Sequence, residues 1–539
     1  MTSPKEVAFA IGMQSIQPAH DQQPRLNFDV LRMVCNCLTD VSDVLSFGTT
    51  CTALRKGALQ RRLRMSPFIL SSSMSVDRLH SLLFADEAAR APFLYGVACP
   101  VFHFYSQDVL IRFAAILKAA TNLKSLYVPA RTGNPIITAI CDLTTLRELH
   151  VLASVGDDSL RTILKNLRSP LRYLHVEGYE LGTFSAKFLH NELSHLGQTL
   201  EALKLDDFPL DIPASSVKTR FTSVRSLEAD EIDISSDLGQ LDVLLELFPN
   251  LDTTFALGPP GPTIPVPEVE RRRQRNMETQ KTRTWPRLDR LVCDARMAYI
   301  LALRCPIRLM TIDTTNVFDG RRYLAESLRY NAPQQLHFSL ELNDGLALLD
   351  WLFPPEAAVK LTRLVMFFNH QISRRPQTLH RASFQWQELL GRLIVSIKHL
   401  RLTHLRLVVC YHVFQSMSKR TQPNMGVDED FVNTARESDL LPAATAFLEA
   451  MPSLEYIFLT TCGRTYVPVG RRWEERHKWL SSKAWRVAGR HEGPDVPSAA
   501  TGMLVELSSE AAEVIIDREE FQLSLREEVQ VKACISPIH

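Results

Sequence analysis

One short string, apolar-x-x-apolar-x-apolar, returns along this chain at intervals that leave few folds open to it. LKSLYV starts at Leu123, LRELHV at Leu146, LRYLHV at Leu171, LEALKL at Leu200 and VRSLEA at Val224, so successive starts lie 23, 25, 29 and 24 residues apart. Alternate residues of an extended strand point to opposite sides, so the last two apolar positions of each string share one face. A lone strand of this kind cannot cover that face, whereas stacked copies cover one another.

A period of roughly 20 to 29 residues is that of leucine-rich repeats. Later strings are more widely spaced: LDRLVC at Leu288, IRLMTI at Ile307, LTRLVM at Leu361, LTHLRL at Leu402 and LEYIFL at Leu454. Insertions have opened the array there. Between strings lie helical stretches such as DDSLRTILKNL from Asp157 and SAKFLHNELSHL from Ser185, each opened by a polar capping residue. The expected fold is α/β: an irregular solenoid over residues 121–465, parallel strands on its concave face and helices outside, closed by a C-terminal cap and tail over 466–539. The ninth position of a repeat usually carries Asn or Cys, yet Arg131, Ser154, Tyr179 and Phe208 stand there in early copies. Cys410 and Cys462 do fill it in the repeats that start at Leu402 and Leu454, and the unevenness predicts an irregular horseshoe.

Ahead of the array, residues 1–24 read as a disordered tail and 71–120 as a helical transition. Residues 25–70 read as three short helices. Leu31, Val34, Cys35 and Leu38 follow the i, i+3, i+4, i+7 spacing of one helical face, Val41, Val44, Leu45 and Gly48 repeat it, and Thr50 is the expected N-cap of a third helix carrying Cys51, Leu54 and Ala58. The first helix carries a second apolar line, Val30, Met33 and Cys37. A module of about 45 residues buries little surface by itself, so this second face calls for a neighbour.

Two insertions stand out. Residues 258–286 contain five prolines followed by a basic run and read as an exposed loop; from Arg271 to Arg290 eight Lys and Arg face Glu278 and Asp289, a local charge of +6. Residues 417–439 are polar and mixed in charge. Beyond the array, Trp473, Trp479 and Trp485 sit among basic residues at a six-residue spacing that makes no single helical face, and an acidic apolar-periodic tail reads as the closing cap.

Whole-chain composition excludes several functions. With 61 basic and 60 acidic side chains the net charge is +1, so no overall field draws the protein to nucleic acid or acidic membranes. Ten cysteines scattered through apolar stretches suit a reducing interior, cytoplasmic or nuclear. The chain's start lacks the basic opening and apolar run of a secretory signal, and no charge-free apolar stretch approaches the ~20 residues that span a bilayer. Gly-x-Gly-x-x-Gly and Gly-x-x-x-x-Gly-Lys loops are absent, as is a Gly-x-Ser-x-Gly elbow. Cys35 and Cys37, two apart in a helix, splay to different faces and make no zinc pair. Cys410 and His412 read as packing at a strand end. No enzyme, metal or cofactor is expected.

The string LNFDVLRMVCNCLTDVSDVLSFGTTCTALRKGA, from Leu26, resembles an F-box, carried by Leu26, Val30, Leu31, Val34, Leu38, the Asp43, Val44 and Leu45 stretch, and Thr50, Cys51 and Leu54. Asn27 stands where an F-box usually has proline. With the repeats and the tryptophan-containing tail, the chain is similar to the F-box and leucine-rich-repeat proteins of filamentous fungi. The resemblance implies a non-catalytic substrate-recognition subunit of a cullin (SCF-type) ubiquitin ligase. The same eleven residues would then contact a Skp-type adaptor, and through it a cullin, or support that contact.

A client protein would meet the strand residues that alternate with the inward ones: Tyr127, His150, His175, Lys204 and Arg406. Two other readings stay open. One is a plain repeat scaffold whose N-terminal helices cap the first repeat; the other, disfavoured, is nucleic-acid binding by segments 271–290 and 471–491.

Overall fold

The computed structural model describes all residues except 1–26, 101–105, 131–132, 154–157, 179–185, 208–212, 232–240, 259–263, 314–319, 343–344, 351, 372–384, 415–438, 470–471, 489–501 and 536–539. The N-terminal tail, the 417–438 part of the second insertion and Leu26 therefore lie outside the described residues.

Three helices open the chain: α1 (Phe28–Cys37), α2 (Val41–Thr49) and α3 (Thr52–Arg64). Asn27, at the position of the usual proline, starts α1 by another chemistry: its side-chain oxygen accepts the Asp29 amide at 3.0 Å, a favoured N-cap. Asp40 caps α2 in the same way through the Ser42 and Asp43 amides. The expected cap of α3 is corrected. Thr50 ends α2 instead, its hydroxyl donating to the Phe47 carbonyl, and Cys51 occupies the N-cap of α3 without a side-chain bond.

The chain then alternates strand and helix: β1 (Phe68–Ile69), α4 (Ser73–Phe84), β2 (Gly96–Ala98), α5 (Gln107–Ala119), β3 (Ser125–Pro129), α6 (Asn134–Asp142), β4 (Glu148–Ala153), α7 (Ser159–Asn166), β5 (Tyr173–Gly178), α8 (Ala186–Glu192) and β6 (Ala202–Asp207). A short 3-10 turn leads to β7 (Ser226–Glu231), α9 (Leu241–Leu247), β8 (Thr254–Leu257), α10 (Val266–Thr282), β9 (Leu288–Asp294), α11 (Ala295–Leu301), β10 (Ile307–Asp313), α12 (Gly320–Tyr330) and β11 (Gln335–Glu341). Two 3-10 turns, β12 (Arg363–Gln371), α13 (Trp386–Ile397), β13 (His404–Phe414), α14 (Leu441–Ala450) and β14 (Tyr456–Val469) follow. The last elements are β15 (Arg472–Ala488), β16 (Met503–Glu506), α15 (Ser509–Arg518) and α16 (Leu525–Lys532).

Among the described residues all sixteen strands form one open sheet in chain order. Pairing is parallel from β1 to β14 and antiparallel from β14 to β16. Each of the ten strings contributes to a strand, its fourth and sixth positions pointing at the helices: Leu126 and Val128, Leu149 and Val151, Leu174 and Val176, Leu203 and Leu205 are at most 1% exposed. Burying an aliphatic side chain of this size is worth about 1.5–3 kcal/mol, so this ladder and the helices over it carry most of the stabilisation.

Two expectations fail in the C-terminal half. Residues 266–282, expected as an exposed loop, form α10, which packs on α11 through polar groups. Arg273 donates to the Tyr299 carbonyl, Asn276 to that of Ile300, and Gln280 to those of Leu301 and Ala302. These bonds satisfy carbonyls that the C-terminal end of α11 leaves open. The basic composition of this run hides that every third or fourth residue, Val269, Arg273, Asn276 and Gln280, faces inward.

The tail, secondly, does not close the end of the sheet. That is done by the hairpin of β14 and β15 with β16, in which Trp479 and Trp485 are buried. Helices α15 and α16 fold back instead across the face opposite the other helices. Ala512, Ile516, Phe521 and Leu523 cover Val365, Phe367, Val408 and Phe458 there, making a second core.

Candidate docking surfaces

The α1–α3 module has a small core, Cys35, Val44 and Ala58, flanked by half-buried Leu38, Phe47 and Met65. On α1, Leu31 and Leu38 turn toward it. The residues on the other side are left open: Val30 and Val34 are each 44% exposed and Met33 68%, with Cys37 exposed beside them and Leu45 of α2 at 48%. Of the eleven residues expected at the adaptor contact, Val30, Val34, Asp43, Leu45, Thr50 and Cys51 are thus exposed, Leu31 and Leu38 half-buried, and Val44 and Leu54 buried. Val44 and Leu54 hold the module together and present no surface. Leu45 and Cys51 also line a cavity of about 1120 Å³, bounded across from α2 and α3 by Leu82, Asp86 and Phe93.

Four of the five expected client residues fall into a single cross-strand row. The register pairs Tyr127 with His150, His150 with His175, and His175 with Lys204. Their side chains leave the sheet on the face away from the helices, because each lies between two inward residues. The Tyr127 and His150 rings stack at 4.0 Å, and those of His150 and His175 at 3.8 Å. Carboxylates flank the row: Glu177 lies 3.2 Å from His150, Asp206 3.7 Å from His175 and Glu228 3.5 Å from Lys204. Burial in the stack lowers the His175 pKa to about 3 and also lowers that of His150, which the Glu177 hydrogen bond opposes. Both imidazoles are therefore neutral at pH 7. Together with Glu177 they gather ligand atoms within 4.8 Å, but the Lys204 ammonium acts on both rings and opposes a cation.

Arg406 is placed differently. It lies under the tail, half-buried, and donates to the Phe521 carbonyl. Sequence reasoning put it on the open face correctly by parity but could not show that the tail covers that face. The tail's ion pairs with the sheet lie on β9 and later strands, Arg290 and Arg308 with Glu520 and Arg363 with Glu519, whereas the row from Tyr127 to Lys204 lies on β3 to β6.

The basic segments are largely occupied. Arg271 and Arg272 pair with Glu268, Lys281 with Glu278, Arg283 with Glu246 and Arg290 with Glu520. Residues 472–488 form β15, whose Trp479 and Trp485 are 7% and 2% exposed, so neither ring offers a stacking platform.

A grouping that the sequence reading missed lies beneath the end of the tail. Cys410 and Cys462 are register partners on β13 and β14, and Cys534, just beyond α16, brings its sulfur to within 4.8 Å of both. The signal was present in the ninth-position cysteines, but the third sulfur is over 70 residues further on.

No family model matches the chain, and no curated protein is similar to it in sequence. No helix among the described residues is long and apolar enough to cross a membrane.

Proposed function

We propose that this protein is a substrate-recognition subunit of a cullin-type ubiquitin ligase, with an F-box-like α1–α3 module docking on a Skp-type adaptor and a leucine-rich-repeat solenoid presenting a client. The observation that carries this reading is the uncovered apolar arc of Val30, Met33 and Val34, continued by Leu45, on a module whose own core is three side chains. Exposed apolar surface of this kind on one helical face suits a partner helix or groove. The function would be proximity: the module holds the adaptor, the open face holds the client, and bond chemistry is done elsewhere. The stacked row of Tyr127, His150 and His175 offers a client rigid aromatic surface rimmed by carboxylates.

Co-purification with a Skp-type adaptor tests the reading. Met33→Asp and Val34→Asp alter exposed positions, so both variants should fold while losing adaptor at micromolar concentrations. Adaptor binding retained by either folded variant would sink the proposed surface.

A scaffold without ligase function is the second reading, and one observation favours it. Leu63 of α3 belongs to the main core at 0% exposure, and its carbonyl accepts the Tyr95 amide at 2.8 Å, so the module is built onto the first strands as a cap would be. Wild-type protein that recruits no adaptor would decide for it.

A further inference from the structure

We propose that Cys410, Cys462 and Cys534, with His412, form a binding site for one zinc ion that fastens the C-terminal tail to the sheet. The three sulfurs lie within 4.8 Å of one another, and Nε2 of His412 is 3.4 Å from Sγ of Cys410. A tetrahedral zinc with sulfur at about 2.3 Å and imidazole at about 2.0 Å sets sulfurs about 3.8 Å apart and sulfur from nitrogen about 3.5 Å. The Cys410–His412 distance is close to the second value, and the sulfur separations exceed the first by no more than about 1 Å.

The placement follows from strand geometry. Cys410 and His412 are two residues apart on β13 and so leave the sheet on the same side. Parallel register sets Cys462 of β14 directly beside Cys410. The turn after α16 lowers Cys534 onto both. Three elements distant in sequence thus supply soft donors to one point, with all three cysteines at most 1% exposed.

Buried cysteines often serve only as small apolar packing, yet two neighbours here do not suit that role. An imidazole nitrogen points at Cys410, and the Arg464 guanidinium hydrogen-bonds Cys534. Zinc binding would release the protons still on the thiols to solvent. Three thiolates and a divalent ion leave one negative charge, which Arg464 is placed to offset. Sulfur-rich tetrahedral donors select zinc over magnesium or calcium.

The inference is independent of the adaptor reading, since the site lies on the far end of the sheet and its test needs no partner. Full-length protein, purified reduced from zinc-supplemented cells, should carry one zinc per chain by elemental analysis. Replacement with cobalt should give the thiolate charge-transfer and strong d–d absorption of a tetrahedral sulfur site. Cys534→Ser and His412→Gln should each weaken zinc binding, the cysteine change by about a hundredfold, a quarter share of a typical structural-zinc free energy. Should Cys534→Ser fail to fold, the cobalt spectrum of the wild-type chain decides alone. Reduced wild-type protein without stoichiometric zinc, a cobalt spectrum without thiolate bands, or a Cys410–Cys462 disulfide in the isolated protein would each overturn the site.

Discussion

The carboxylate of Glu527 lies 3.0 Å from Nε2 of His337, a residue 190 positions earlier in the chain, and both side chains are under 10% exposed. This contact joins α16 to β11 across the open face. Glu527 also accepts from the Ser524 amide and hydroxyl at 2.8 Å, so one buried carboxylate caps its own helix and anchors the tail. Burial pushes its pKa up, but the bonds from His337 and Ser524 outweigh that and hold it below the ordinary range.

Glu527→Ala should therefore cost about 1.5–3 kcal/mol, the range for a hydrogen bond to a charged group. Local opening precedes global loss in weakly held segments, so limited proteolysis within 503–535 should quicken before the melting temperature of the sheet falls. A depressed carboxylate contributes stability above its unfolded pKa and loses it as pH drops through the folded one; the variant should lose that part of the acid sensitivity. An unchanged cleavage rate would show that the pair does not anchor the tail.

Gly463 gives a second prediction. A Cβ on this residue would stand 2.1 Å from the Trp479 ring and 2.1 Å from the Tyr411 carbonyl, so nothing larger fits between β13 and β15. Gly463→Ala should destabilise by at least ~1–3 kcal/mol, the usual range for overpacking a filled core. Denaturant unfolding measures it, and a variant within experimental error of wild type would show that the ring can move aside.

How much of this was legible in the sequence depends on whether a signal was local. The strings from Leu123 to Leu454 mark ten strands because parity and period lie within six adjacent residues. β8 and β11 depart from the string in small ways. Between Leu251 and Phe255 there is one residue more than the string allows, and the string for β11 opens on Pro333 in place of an aliphatic. The tryptophans of β15 make no helical face, but an even spacing puts Trp479 and Trp485 on the same side of a strand, and both are buried. The row from Tyr127 to Lys204 was legible by parity. The cover over Arg406 and the meeting of Cys534 with Cys410 were not, because both depend on where a tail lands after the whole sheet has formed.

Acid should weaken the fold through its histidines. Burial lowers the His175 pKa to about 3 and that of His404 to about 4, against about 6.5 in an unfolded chain. Between those values the unfolded state binds more protons, so stability falls as pH drops from about 6.5 toward 4. Asp294 opposes this: burial raises it to about 6, so the native state holds its proton through part of the same window. Two groups against one give a net loss on acidification. The melting temperature should fall from about pH 7 to about pH 4.5, and His404→Gln should flatten the slope. A melting temperature that is constant or rises on acidification would refute the assignment.

Gln280 supplies the last test, of how the basic segment became part of the fold. Its amide nitrogen donates to the carbonyls of Asn276, Leu301 and Ala302, and its oxygen accepts the Arg304 amide at 2.9 Å. Ala302 has a φ of 46°, the left-handed turn that ends α11, so this one side chain ties down a conformation that favours glycine. Gln280→Ala leaves those carbonyls and the amide buried without their partner and should cost about 2–3 kcal/mol by thermal or denaturant unfolding. Gln280→Glu would set a carboxylate, which cannot donate, against the carbonyls, and should cost more than the alanine. The reverse order would mean that α10 is held to α11 by Arg273 over the Tyr299 ring, 4.1 Å away, with Gln280 contributing little.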